Sequence, residues 1–357
     1  MCIICSGGEI SRDITTLKIC VDCTYIPDNL PDWISHIDCS NCTGLTQLPS
    51  LPSSLIELRC SNCTGLTQLP SLPPSLIELK CSYCTGLTQL PSLPFSLTHL
   101  WCYGCIGLTQ LPDILPPSLT RLNCSGCTGL TRLPILPPSM IRLECPDCTG
   151  LTQLPDILPP SLTHLECTGC TGLTQLPDIL PPSLTRLNCS CCIGLTQLPV
   201  LPSSLIELNC HGCIGLTQLP VLPPSLIGIG CSDCIGLTQL PVLPPSLTEL
   251  NCVGCTGLTQ LPDILPPSLT SLTRFNCSGC TGLIFVSEDI YQRYIPAELK
   301  PIISRNYEKW RKMQCYKYFS DKEGLIYGEL YQRTWHPDRM INWCWDIEEV
   351  KWFNSLA

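Results

Sequence analysis

The chain is poor in charge, aromatics and histidine. Asp, Glu, Lys and Arg make up 14% of its 357 residues, Phe, Trp and Tyr 6%, and only five residues are His. The 20 Lys and Arg stand against 29 Asp and Glu, a net charge of -9. That balance excludes a general nucleic-acid binder, which needs a basic surface to neutralise phosphates. No run approaches about 18 consecutive apolar residues, because Pro, Thr, Ser and Gln interrupt every one, so no membrane-spanning helix is expected. The opening stretch, Met1-Cys2-Ile3-Ile4-Cys5-Ser6-Gly7-Gly8-Glu9, has neither a basic region nor a long apolar core. No secretory signal is read there, and a cytoplasmic setting is expected. Gly-rich phosphate loops, G-x-S-x-G and H-E-x-x-H are all missing, so the chain does not read as an enzyme, and no catalytic residue or cofactor is expected.

Proline and cysteine are abundant instead, with 36 Pro and 31 Cys, and both are concentrated before residue 283. Residues 1–282 hold 9 Lys/Arg and 18 Asp/Glu, whereas residues 283–357 hold 11 of each and 15 of the 22 aromatics. This composition break is the clearest domain boundary.

Before the break the sequence repeats. Twelve Cys-x-x-Cys pairs begin at Cys39, Cys60, Cys81, Cys102, Cys124, Cys145, Cys167, Cys189, Cys210, Cys231, Cys252 and Cys277, and all steps are 21 or 22 residues except the last, which is 25. Written as L-x-x-L-x-C-x-x-C-x-G-L, the unit starts at Ile34, Leu55 and so on to Leu272. It has Gly at position 11 and Leu at position 12 every time, from Gly44-Leu45 to Gly282-Leu283. Apolar residues at positions 4 and 6 with polar neighbours at 3, 5 and 7 predict a short strand with one buried face. A single unit cannot bury that face, but stacked units can. The period and the leucines together are the signature of a leucine-rich repeat solenoid, a horseshoe with a parallel β-sheet on its concave side.

The other half of each unit reads Leu-Pro-x-(x)-Leu-Pro-Pro-Ser, as at Leu111-Pro112-Asp113-Ile114-Leu115-Pro116-Pro117-Ser118. Prolines fix φ near -65° and push the preceding residue out of the helical region, so the convex side is expected to be extended and polyproline-like rather than helical. These segments resemble the leucine-rich repeats of bacterial effector proteins, which share Leu-Pro-x-Leu-Pro. The cysteine-bearing form is more similar still to repeat proteins of giant DNA viruses of amoebae. The segment Arg333-Thr334-Trp335-His336-Pro337-Asp338-Arg339-Met340-Ile341-Asn342-Trp343-Cys344-Trp345-Asp346 resembles one that closes repeat proteins in those viruses. The resemblance covers roughly residues 34–283 plus this segment, and it implies a viral protein in the host cytoplasm or the virion. Some bacterial relatives carry a ubiquitin-ligase domain whose catalytic Cys is followed two residues later by Asp. The 74 residues after Leu283 are too few for it, and Cys315-Tyr316-Lys317 lacks the Asp.

The cysteine spacing also satisfies a zinc pattern: Cys60-x-x-Cys63, 17 residues, Cys81-x-x-Cys84. Repeat phase offers another account. Position 6 is an inward strand site, and position 9 is the Asn-or-Cys site of the repeat signature. Zinc at about 2.3 Å per bond needs sulfurs roughly 3.8 Å apart, and a disulfide needs Cβ atoms about as close, whereas in-register columns sit about 4.8 Å apart. Reduced, buried thiol ladders with no metal are therefore expected, with metal binding and disulfides as the alternatives. Cys191, Cys315, Cys344 and the Cys2/Cys5 pair fall outside the columns.

Residues 1–33 fit the register poorly. Ile14-x-x-Leu17-x-Ile19 reads as a strand, but Cys20 and Cys23 then fall one position late, so this stretch is taken as a degenerate N-terminal cap. Residues 284–357 read as a helical, aromatic-rich C-terminal cap or docking module. A helix over 304–316 capped by Ser304 is predicted, with a second from about Asp338 to Phe353. His336, Cys344 and Asp346 are too isolated to define a metal or catalytic site.

Solenoids place function where repeats differ, here at positions 3 and 5, which face the concave side. Glu57/Arg59, Glu78/Lys80, Arg142/Glu144 and His164/Glu166 oppose charges two residues apart and so read as self-neutralising pairs. Arg121 and Arg186 have only Asn123 and Asn188 there. Trp101, Tyr103 and the preceding repeat's Tyr83 form an aromatic cluster on a face with no interior to receive them, and exposed Trp, Tyr and Arg are favoured binding anchors. The candidate partner-binding residues are Tyr83, His99, Trp101, Tyr103, Arg121, Arg142 and Arg186, and the expected partner is a protein. The competing reading is that Trp101 only covers its neighbours. A metal-binding protein using the cysteine columns and a structural virion component are the other classes in play. Nothing in the sequence sets the oligomeric state.

Overall fold

The computed structural model describes residues 10–262, 265–269, 275–284, 286, 295 and 297–307. One sheet of thirteen parallel strands runs through it in strict chain order. The strands are β1 (Thr16–Lys18), β2 (His36–Asp38), β3 (Glu57–Arg59), β4 (Glu78–Lys80), β5 (His99–Trp101), β6 (Arg121–Asn123), β7 (Arg142–Glu144), β8 (His164–Glu166), β9 (Arg186–Asn188), β10 (Glu207–Asn209), β11 (Gly228–Gly230), β12 (Glu249–Asn251) and β13 (Phe275–Asn276). Each pairs with the next in register, so position 3 stands beside position 3, as Glu78 beside His99 and His99 beside Arg121. The fold is a leucine-rich repeat solenoid.

Three-residue strands are short, and their stability comes from the stack. The middle residue of each is buried and its two neighbours face out. Behind them the leucines of positions 1, 4 and 12 and both cysteine columns form one continuous core, most of it fully buried. The convex segments make no helix. They hold to one another through a serine column, in which each hydroxyl donates to the position-1 carbonyl of the turn before, from Ser54 on Ile34 (2.8 Å) to Ser246 on Leu226 (2.7 Å). Position 11 admits only glycine because backbones close in. A Cβ on Gly86 would lie 2.9 Å from the carbonyl oxygens of both Leu66 and Thr64.

The second cysteine of each pair has a defined task. From Cys63 to Cys280, eleven thiols donate across 2.9–3.1 Å to the carbonyl of the first cysteine in the preceding repeat. Those carbonyls lie inside the solenoid, where an unpaired one costs about 1–3 kcal/mol. Cysteine is small enough for the site, apolar enough for the core, and still a donor. Contact with the neighbouring cysteine's sulfur, and then burial, holds thiols such as Cys124 and Cys145 well above their ordinary pKa, so they stay protonated.

Both ends depart from the simple repeat. β1 extends the sheet by one strand, with Thr16, Leu17 and Lys18 opposite His36, Ile37 and Asp38. Ile19 takes the first cysteine's inward place, and the one-residue slip shows as Cys42 donating to the carbonyl of Cys20. At the other end Leu269, not Leu272, fills the position-1 pocket. Leu269 is fully buried, and its N–H meets the Pro266 carbonyl as Leu247 meets Pro244. The extra residues of the 25-residue step therefore lie after position 1, between Leu269 and β13.

A helix, α1, spans residues 300–307. It starts before Ser304, which lies within it and is not its N-cap. Leu299 and Ile303 enter the core one turn apart, and Asn306 donates to the last repeat's Thr281 and Leu283 carbonyls. The rest of the predicted 304–316 helix and all of the second one fall outside the described residues. No helix among the described residues is long and apolar enough to cross a membrane.

Candidate functional site

The in-register sheet turns the outward positions into rows. The position-3 row reads Glu57, Glu78, His99, Arg121, Arg142, His164, Arg186, Glu207. Five neighbouring strands, β5 to β9, thus present Arg or His, and glutamates bracket them. The position-5 row beside it carries Lys80, Trp101, Asn123, Glu144 and Glu166.

At the β3–β5 end the charges are joined. Arg59 reaches Glu57 at 2.6 Å, Lys80 bridges Glu57 at 3.0 Å and Glu78 at 2.9 Å, and the Trp101 indole N–H donates to Glu78 at 3.1 Å. Burial pushes the Glu57 carboxyl up, but the hydrogen bonds from Arg59 and Lys80 outweigh it and hold it at about 2. Trp101 is half-buried, with its edge tied down and the remainder offered to solvent.

Tyr103 stands beside it and meets Tyr83 edge to face, with ring centroids 5.0 Å apart. Tyr83 occupies position 8, which is left-handed in every full repeat described. Most repeats fill that place with Gly, Asn or Asp, whereas Tyr83 sits there at φ 57°. Its ring lies over Gly104, where a Cβ would collide with it. The aromatic pair therefore depends on a glycine one repeat further on.

The structure brings Tyr83, His99, Trp101, Tyr103 and Arg121 together on neighbouring turns, and Arg142 follows directly on β7. Arg121 is exposed and has no ion pair among the described residues. Arg142 meets Glu144 at 3.3 Å. Arg186, two strands beyond, pairs with Glu207 of β10 at 3.3 Å, a cross-strand neighbour that spacing along one strand does not show. His164 shares a hydrogen bond with the Thr163 hydroxyl, so three of the four within-strand pairs form. Burial, and then the adjacent arginines, lower the His164 pKa, so its ring is neutral at pH 7.

One feature of the face escaped the sequence reading. β11 carries Gly at both outward positions, and a Cβ on Gly228 would meet nothing within 4 Å. The bare strand floors an open groove of about 750 Å³ that also touches Arg186, Glu207, Asn209 and His211. The signal was two glycines filling both variable columns of one repeat. No group of three or more metal-ligating side chains among the described residues is placed to hold a metal ion.

No family model matches the chain, and no curated protein does. Solved structures similar to it are leucine-rich repeat proteins. YopM, a leucine-rich effector from Yersinia pestis, is 28% identical, over 72% of this chain and 85% of that one, with a TM-score of 0.37. A leucine-rich repeat protein from Bacteroides ovatus is 22% identical over 76% and 78%, with a TM-score of 0.46. The giant-virus protein CroV588, a circular leucine-rich repeat structure, is 21% identical over 73% and 62%, with a TM-score of 0.32. The fold assignment rests on the sheet register rather than on these overlays.

Proposed function

We propose that this solenoid is a non-enzymatic scaffold that binds a protein partner on its concave face, with Trp101 and Tyr103 as apolar anchors beside the cationic row. The observation that carries this reading is the run from His99 to Arg186. Five adjacent strands offer Arg or His in a chain whose net charge is -9, with the aromatic cluster at one end. A rigid sheet holds these groups in place beforehand, which lowers the ordering cost of binding. The complementary ligand is a protein surface with acidic side chains flanking an apolar one. Glu144 and Glu166, running alongside, disfavour a phosphate backbone. Metal binding through the cysteine columns has no observation in its favour, since the second cysteines are buried and donate to carbonyls. We further propose a viral protein acting on host components in the host cytoplasm, supported by the resemblance of residues 333–346 to the closing segment of giant-virus repeat proteins.

The test is affinity for a partner captured by the wild-type chain. Trp101→Ala/Tyr103→Ala should weaken it at least about 30-fold, the mark of an interface anchor, with an unchanged urea midpoint. Added salt should weaken it too, because Arg121 is exposed to screening. Undiminished affinity in the folded double variant would move the binding surface elsewhere.

A further inference from the structure

The convex side carries a feature that partner binding on the concave face does not use. In seven consecutive repeats, from Ile114 to Val242, the residue before the second buried leucine of the proline segment is Ile or Val, and all seven are 77–89% exposed. The fold does not require them, because three earlier repeats put exposed serines in the same place, Ser50, Ser71 and Ser92. Ile179 and Val200 form a parallel bridge, so successive side chains stand side by side. At roughly 5 Å per repeat the stripe is on the order of 30 Å long. With about 100 Å² of side chain apiece it covers on the order of 600–700 Å². That exceeds the largest apolar patch of most monomers and approaches the roughly 800 Å² per partner of a standard interface, which the exposed prolines Pro138, Pro160 and Pro182 alongside would complete.

The composition along the stripe indicates what covers it. Its first part is isoleucine, and exposed acids precede three of them, Asp113, Asp156 and Asp178. Its last part is valine, and Pro199, Pro220 and Pro241 stand where an acid would be. We propose that two copies of this chain dimerise back to back through the stripe, antiparallel, about a two-fold axis between Ile179 and Val200. Ile179, Ile157 and Ile135 then face Val200, Val221 and Val242 of the second copy, each larger side chain against a smaller one. Asp156 and Asp178 face acid-free repeats. A parallel arrangement would set each of these acids against its own copy, where like charges repel. The dimer leaves both concave faces outward and offers a multivalent partner two sites.

Sedimentation of the full chain under reducing conditions tests this without interference from thiol cross-links. Wild type should run at twice the 39.3 kDa chain mass, and Ile157→Ser/Ile179→Ser/Val200→Ser at the chain mass. Serine is what earlier repeats carry at this place, so the variant should keep the wild-type circular dichroism. The antiparallel register has its own readout. Mixing Ile157→Cys chains with Val221→Cys chains should yield a disulfide-linked dimer that neither variant forms alone. A wild-type monomer at about 100 µM overturns the proposal and assigns the stripe to a different protein. A dimer that the serine variant does not dissociate, or cross-linking of like with like, overturns it as well.

Discussion

The inside and the concave face of this solenoid obey opposite rules. Inside, each turn meets an identical turn, so the same residue answers the same need twelve times. Cys127 serves the Cys102 carbonyl as Cys148 serves that of Cys124. On the face each strand meets solvent, and neighbours differ: Trp101 stands beside Lys80 on one side and Asn123 on the other. Stability is therefore spread evenly along the chain, while recognition is concentrated at a few turns. The sharpest way to separate the two is Cys127→Ala. It removes a buried donor, orphans the Cys102 carbonyl and leaves a small void, for a loss of about 1–3 kcal/mol read from the urea midpoint. Partner affinity of the folded variant should be unchanged. A loss of affinity equal to that of Trp101→Ala would erase the distinction.

Gly104 tests where the two rules meet. It occupies the left-handed site at φ 70°, and the Tyr83 ring leaves no room for a Cβ. Gly104→Ala should cost about 1–2 kcal/mol from backbone strain and should also displace Tyr83 from Tyr103, reducing the near-ultraviolet tyrosine signal. Gly126→Ala is the control. It has the same strain, at φ 65°, but its Cβ would touch only the Gly104 backbone at 3.6 Å. It should lower stability by a similar amount and leave the tyrosine signal intact.

The interior was legible in the sequence because repetition makes phase visible. Gly at position 11 and Leu at position 12 in every unit fix the register, and register fixes which cysteines point inward. Two things blurred the ends. A one-residue slip at Cys20 hid how fully β1 joins the sheet, and an insertion placed after position 1 made Leu272 look like the core residue that Leu269 is. The face was legible only along each strand. Pairs such as Glu57/Arg59 follow from spacing, but the Arg186–Glu207 pair and the Lys80 bridge to Glu57 join residues more than twenty positions apart. The groove over Gly228 and Gly230 shows only once strands are laid side by side, because it consists of side chains that are missing.

Glu57 gives the smallest effect and the one with a definite sign. Its folded pKa of about 2 lies below the ordinary carboxylate value of about 4.3. A group depressed in the folded state contributes stability that is fully present above its unfolded pKa and is lost as pH falls through the folded one. Its contribution should therefore be constant from pH 7 to about 5 and fade between about pH 4.5 and 2. The Glu57 side chain is 12% exposed, but Arg59 is 46% exposed, so solvent screens much of that partnership. A contribution on the order of 1 kcal/mol follows rather than the larger figure the bare shift would give. Glu57→Gln should lower the urea midpoint at pH 7 by that amount and converge with wild type near pH 2. Because Lys80 also holds Glu78, and Glu78 holds Trp101, the same variant should loosen the indole and alter tryptophan fluorescence at pH 7. A stability difference that grows as pH falls would mean that Glu57 is protonated more readily in the folded chain, and the ion network would then not be what positions Trp101.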